Sequence, residues 1–466
     1  MRLFRSLTGP KARCCASIMA GFFLAPTGAW AETPVDDRWR VKVSGEARGR
    51  YETLSGQFRA GGKGGDQLLA FRTLIKAEAK RGAWTFAAEM QDSRSYLGDA
   101  GTAYSTSWIN PVDLLQAYAE VEVKELPGQT TTSVQMGRMT LDIGSRRQVE
   151  RVEFANVIYN YTGVHVRSRT PSGAQWHVLY VVPVTRLPAD RTALSNNDIS
   201  GDEEATNRKL WGLHYIRPDS FTALAPGLTA ELFVYGLDER DAKDNPTPNR
   251  HYTTPGFRVS RAPKTGQWDL DVEGAWRYGT RRNTSNASDL RDLKVRAWTL
   301  HAHLGRTLDL KWQPRLVLDY DYASGDKNPT DGRYDQYERL FGSRRTDLGN
   351  TGIHGPLTPA NINAPGFRIE VKPNARTDAR VAYKAAYLAS DTDSWVVAGV
   401  RDPQGRSGSF IGHAVDSRVR YWFKPKHLLG EVGLSLLLDS EVGRNAPNGA
   451  RQGDTAFSYV QLTGYF

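Results

Sequence analysis

Arginines are the residues of this chain whose number and spacing suggest chemistry. Four of them, Arg138, Arg146, Arg147 and Arg151, fall within "MGRMTLDIGSRRQVER" (136–151) and form its densest basic cluster. Nine further cations (Lys42, Arg48, Arg50, Arg72, Lys76, Arg277, Arg368, Arg418 and Arg420) lie on the polar phase of alternating polar and apolar segments. A planar guanidinium matches the two oxygens of a carboxylate. A ring of such groups inside a narrow channel with low-dielectric walls would concentrate anions. For any single residue the simpler role is a salt bridge, as between Arg277 and Glu273 or between Arg48 and a neighbour of Glu46. The set is harder to neutralise. The chain has 61 Lys and Arg against 51 Asp and Glu, and removing Arg2, Arg5, Lys11 and Arg13 of the leader leaves 57 against 51, a net +6.

Other constellations are weaker. In "DYDYASGDKNPTDG" (319–332), Asp319, Asp321 and Asp326 suggest a calcium loop, but Ala323 and Ser324 occupy positions where an EF-hand needs a ligand and a glycine. His301 and His303 share one face of a strand and form a possible metal pair, with no third ligand nearby in sequence and a structural role the simpler reading. The chain has no G-x-S-x-G elbow, P-loop or G-x-G-x-x-G, and "GRSGS" (405–409) reads as a polar loop. No catalytic residue, cofactor or metal site is assigned. Basic and acidic residues are interleaved throughout, so a nucleic-acid partner is not expected.

The elements that would position these arginines are strands. In "RWRVKVSGEARGRYE" (38–52), Trp39, Val41, Val43, Gly45, Ala47, Gly49 and Tyr51 share one face, and Arg38, Arg40, Lys42, Ser44, Glu46, Arg48, Arg50 and Glu52 the other. "WDLDVEGAWRYG", "SRVRYWF" and "FRTLIKAEAK" repeat the pattern. A period of two means half-exposed strands, and the spacing predicts 18 of them between residues 38 and 466. Short Gly or Pro turns alternate with long polar connections at 185–207, 238–250, 324–365 and 390–413. The twelve steps from Trp39 to Tyr51 cover ~40 Å of strand at ~3.3 Å each. Tilted by ~45°, that is ~28 Å, close to the ~25 Å apolar band of an outer-membrane barrel. A soluble β-sandwich or barrel is the competing architecture. The aromatic ends of the apolar faces, and the ending "FSYVQLTGYF" with its terminal Phe466, favour the transmembrane barrel.

The leader agrees with export. A basic start, an apolar stretch within Cys14–Ala31 and an Ala29-Trp30-Ala31 ending read as a signal peptide over residues 1–31, cleaved near Ala31. Both cysteines, Cys14 and Cys15, lie inside it, so residues 32–466 contain no disulfide. A mean hydropathy of −0.52 excludes a bundle of membrane helices.

Several segments resemble the alginate export family of Gram-negative outer-membrane proteins. They are "EMQDSRSYLGD" (89–99), "VDLLQAYAEVEV" (112–123), "MGRMTLDIGSRRQVER", the blocks 296–326 and 337–373, and "IGHAVDSRVRYWFKP" (411–425). Met139 stands where the family's G-R-Q-x-L-x-x-G-x-x-R signature usually has Gln. The resemblance implies an all-β fold, a single transmembrane antiparallel barrel of about 18 strands with long extracellular loops. It also implies passive export of an anionic, alginate-like polysaccharide through an Arg- and Lys-lined pore. The expected partners are that polysaccharide, outer-membrane lipid and lipopolysaccharide, the barrel-assembly machinery through Phe466, and periplasmic polysaccharide-secretion proteins. An anion-selective porin taking up small acids or oligouronates is the alternative function. A structural or adhesive barrel ranks below it, and an outer-membrane lipase, for which no motif is present, lower still. Loop 324–365, with "DLGNTGIHGPL", is a candidate plug.

Overall fold

A computed structural model describes residues 38–126, 128–221, 226–242, 245–451 and 453–466; the leader and its cleavage site lie outside them. In chain order the strands are β1 (Arg40–Ser55), β2 (Asp66–Arg81), β3 (Trp84–Tyr96), β4 (Asn110–Leu126), β5 (Thr130–Met139), β6 (Tyr161–Arg169), β7 (Gln175–Thr185), β8 (Glu203–Glu204), β9 (Arg208–Arg217), β10 (Leu228–Glu239), β11 (His251–Arg261), β12 (Trp268–Arg281), β13 (Leu293–Thr307), β14 (Arg315–Ala323), β15 (Arg333–Tyr334), β16 (Ile362–Asn374), β17 (Thr377–Tyr387), β18 (Phe410–Lys424), β19 (Leu428–Leu438) and β20 (Thr455–Tyr465). The two-residue strands β8 and β15 are loop segments laid on β7 and β13. The other 18 pair antiparallel with their neighbours in chain order, and β1 pairs with β20, which closes the barrel. Closure removes the unpaired edges that a membrane would penalise.

The alternation sets which side chains face outward. Val41, Val43 and Tyr51 of β1 are exposed on the outer wall, whereas Arg48 and Arg50 are buried inside. Outer-wall aromatics such as Trp84, Trp176 and Trp268 stand at strand starts, and Tyr96 and Tyr278 stand near the opposite ends. This is the two-girdle arrangement of a membrane barrel. Val432, exposed near the middle of β19, provides a test of that wall. Val432→Arg is expected to cost ~2–4 kcal/mol of folding free energy in lipid vesicles, measured by urea titration. An unchanged stability would mean that this face does not meet lipid.

The seam depends on one small residue. Gly45 N–H donates to the Phe466 carbonyl at 2.9 Å, and a Cβ at Gly45 would collide with the Phe466 ring. The C-terminal aromatic therefore lies across the first strand, over a position that must lack a side chain.

Connections at the two ends of the barrel differ. One end carries mostly short links such as 82–83, 375–376 and 425–427, while the other carries 97–109, 140–160, 186–207, 324–361, 388–409 and 439–454. Two of the long segments, 140–160 and 324–361, turn into the barrel. They meet at a parallel bridge between Val149 and Phe341, and Gly342 permits the approach because a Cβ there would strike the Arg147 carbonyl. Met139, fully buried, belongs to an apolar cluster with Leu141, Ile143, Val149 and Tyr161, and Phe341 packs against it. The side chain standing where the signature has Gln thus packs the root of the first inward loop.

Candidate functional site

Wall arginines hold the inward loops. On β1 and β2, Arg48 donates to the Glu153 and Ala155 carbonyls at 2.9 Å each, Arg50 to Phe154 O at 2.7 Å, and Arg72 to Glu153 O and Ala155 O at 2.8 and 2.7 Å. None of these carbonyls accepts a backbone N–H among the described residues, so the arginines supply their donors. Arg277 lies between the rings of Tyr252 and Tyr337, 4.5 Å from each centroid, and donates to the Glu338 carbonyl. Phe154 is clasped between Arg50 and Arg345, whose guanidinium carbons lie 4.1 and 3.7 Å from the ring centroid. Segment 324–361 is also held by the wall: Ile353 N–H donates to Glu52 on β1, Asn350 N–H to Asp416 on β18, and Arg345 pairs with Glu431 on β19 at 2.6 Å.

Most of the cations singled out in the sequence have an acid beside them. Arg50 meets Glu52 at 2.7 Å, Arg72 meets Glu46 at 2.6 Å, and Lys76 meets Glu78 at 3.1 Å. Arg368 meets Glu370 at 2.7 Å, and Arg418 and Arg420 share Asp378 at 3.5 and 3.0 Å. Lys42 is exposed near the start of β1. The four signature arginines do not form one patch. Arg138 pairs with Asp113 and Glu204, Arg146 with Asp142, and Arg151 with Glu89. Arg147 goes to Glu273 at 3.0 Å, Asp347 at 2.8 Å and Asp271 at 3.2 Å. Burial alone would lower the Arg147 pKa; the three carboxylates outweigh it and raise it, and Arg147 together with His301 holds Asp347 well below the usual carboxylate range against its own burial. This buried cluster ties wall strand β12 to both inward loops. Asp319 and Asp321, considered above as calcium ligands, are β14 residues bound by Lys384.

The uncompensated positive charge lies elsewhere. Between the two loops is a cavity of about 230 Å³ whose lining includes Tyr159, Arg339, Ser343, Arg344 and Thr351 and, among the described residues, no carboxylate. Arg339 donates to Gly342 O at 2.8 Å, and Arg344 donates to Gly355 O and Leu357 O at 2.8 and 2.7 Å. Arg186 lies over the Tyr159 ring, 4.6 Å from its centroid, with its Nη1 buried and without a hydrogen-bond partner. Two shifts report the unbalanced potential. Burial, with Arg339 and Arg59 nearby, lowers Arg344 to about 9. Burial would raise the Tyr159 phenol, yet Arg339, Arg186 and Arg344 together bring it below its ordinary value. A site that disfavours its own cations favours an incoming anion. Its signal in the sequence is "YERLFGSRR" (337–345), three arginines in seven residues with Glu338 the only acid.

Glu150, buried beside this region, is pushed up to about 7, by burial first and then by Asp142 and Glu153 against the opposing Ser343 hydrogen bond and Arg146. A carboxyl raised in the folded state binds its proton more tightly there, so its contribution to stability is full below the unfolded pKa of ~4.3 and is lost as pH rises through about 7. Inward packing of 140–160 should therefore loosen between pH 5 and 8, read as rising open-channel noise or conductance in planar bilayers. Glu150→Gln should flatten that profile, and a variant that keeps the wild-type profile would exclude Glu150 as the titrating group.

Comparison with known proteins agrees with the barrel and adds a family. Solved structures covering 91% of this chain include Pseudomonas aeruginosa OccK2 in complex with glucuronate (12% identity, 98% of that chain, TM-score 0.56), a BenF-like porin from Pseudomonas fluorescens Pf-5 (11%, 99%, 0.58) and Acinetobacter baumannii OccAB1 (13%, 96%, 0.56). At these identities the likeness is one of fold. No curated protein matches the chain. The family model described as Alginate export matches residues 39–454, nearly the whole barrel. With an apolar outer wall, a polar interior and 18 closed strands, this chain is an outer-membrane β-barrel channel that belongs to the alginate export family.

Proposed function

We propose that the channel passively passes an anionic, alginate-like polyuronate outward, with its carboxylates read by Arg339 and Arg344 and by Arg186 over the adjacent Tyr159 ring. One observation carries this reading: the cavity between the inward loops has Arg339 and Arg344 in its lining, with hydroxyls of Tyr159, Ser343 and Thr351, and no carboxylate among its described residues. Membership of an alginate export family supports the polymer and the outward direction. In this reading the long connections face the cell exterior and its lipopolysaccharide, and the short turns and both strand termini face the periplasm. Phe466 is the handle for barrel assembly, and periplasmic secretion proteins deliver the polymer. Paired wall arginines such as Arg72 and Arg418 hold the scaffold, while their acids keep a polyanion from sticking to the wall.

The size of the cavity favours a second reading, uptake of small acids or short oligouronates. At about 230 Å³ it lies below the ~300 Å³ lower end of ordinary ligand pockets and fits one sugar unit at a time. The related fold of OccK2 carries glucuronate in its own structure. Purified protein in planar bilayers should be anion-selective, and oligouronates should block the current; cation selectivity would overturn both readings. A deletion strain separates them: trapped periplasmic polymer supports export, and failed growth on uronates with normal polymer release supports uptake.

A further inference from the structure

On the β12–β13 wall, the fold assembles a histidine pair that the sequence left without a third ligand. His301 Nε2 and His303 Nδ1 are 3.3 Å apart. Two nitrogens bound to one tetrahedral zinc at ~2.0–2.1 Å are separated by about 3.3 Å. His301, His303 and Asp271 of the adjacent β12 each offer a donor atom within 4.8 Å of the other two. Asp347, from the inward segment 324–361, lies 3.8 Å from His301 Nε2.

The surroundings orient these nitrogens. His301 Nδ1 is 2.8 Å from Asp321 Oδ1; donating its proton there leaves Nε2 with a lone pair aimed at His303. His303 Nε2 lies 3.3 Å from Arg315 Nη2, which donates to it, and 3.5 Å from Asp269 Oδ1. A carboxylate behind a ligating imidazole is the usual outer shell of a metal-bound histidine, and Asp321 supplies it for His301. Charge balance provides an independent argument. Among the described residues, the connected ion pairs of this wall join eight carboxylates to five cations, Arg147, Arg258, Arg315, Arg368 and Lys384. Asp269, Asp271, Asp321 and Asp347 stand closest to the two imidazoles, the surroundings in which a divalent cation is favoured.

We propose that His301, His303 and Asp271 form a site for a divalent first-row transition ion of the zinc class. The site joins β12 to β13 and requires no particular substrate of the channel. Imidazole with carboxylate suits zinc better than calcium or magnesium, which take oxygen ligands.

The test uses the full-length barrel in detergent, stripped with a chelator and titrated with zinc alone against a chromogenic competitor. One zinc per chain is expected, with affinity at least tenfold weaker in His301→Ala and in His303→Ala and unchanged in His427→Ala. Cobalt in place of zinc should give the intense visible absorption of a tetrahedral ion, lost in both variants. A wild-type barrel that binds no zinc, or a folded His301→Ala/His303→Ala double variant that binds it as tightly as wild type, would overturn the proposal. Circular dichroism establishes that each variant is folded.

Discussion

Replacing Arg339 and Arg344 together by alanine is expected to weaken oligouronate block of the channel roughly 10- to 100-fold and to remove most of its anion selectivity. At ~6 Å and an effective dielectric constant of ~20–80, each guanidinium contributes about 1–3 kcal/mol to a carboxylate in the cavity, and about 1.4 kcal/mol is a tenfold change in affinity. The fold should survive, because both side chains donate only to backbone carbonyls, Gly342 O for Arg339 and Gly355 O and Leu357 O for Arg344, so no acid is stranded by their loss. Lysine at both positions should restore selectivity but only part of the block, since it lacks the forked geometry. Single-channel recordings with oligouronates of increasing length provide the measurement. Block that survives the double alanine change would place recognition elsewhere in the lumen.

A second large effect is expected at Arg147. Arg147→Ala leaves Asp271, Glu273 and Asp347 facing one another in a buried site. Removing one partner from such a cluster costs ~3–5 kcal/mol. The barrel wall, held by 18 strand pairings, should remain, and the loss should fall on the contact between segments 140–160 and 324–361. The expected result is a severalfold rise in open-channel conductance with new protease cleavage in those segments, while circular dichroism stays that of a β-barrel. Asp347→Asn should do less, because two carboxylates remain on Arg147. Equal conductance in Arg147→Ala and wild type would show that the ion cluster does not hold the loops inward.

The strands were legible in the sequence because a barrel wall imposes a local rule: every second residue meets lipid. The 18 expected strands match the 18 wall strands. The orientation of β1, with Val43 outward and Arg48 inward, followed from the same rule. The site obeyed no local rule. Arg138, Arg146, Arg147 and Arg151 are close in sequence, but each meets different acids, from Asp142 in the same loop to Asp271 and Glu273 on a distant strand. Arg339 and Arg344 lie in an aperiodic loop, and their importance comes from the absence of acids on the facing segment 152–159, apart from Glu153. The histidine pair lacked a third ligand for the same reason: Asp271 is its neighbour only through the β12–β13 register, in which Asp271 opposes His303.

The seam at Gly45 and Phe466 has a consequence for how the protein is made. Glu52 of β1 receives Ile353 of the inward segment, and Arg50 of β1 donates to Gln461 of β20. The contents of the lumen are therefore fastened to the first strand synthesised and to the last. Until the final aromatic reaches Gly45, β20 has no partner on that side, and the cage that confines the two segments is incomplete. Closing the seam and confining segment 324–361 are thus one event, because that segment is tied to Glu52 on β1 and, through Arg345, to Tyr459 on β20.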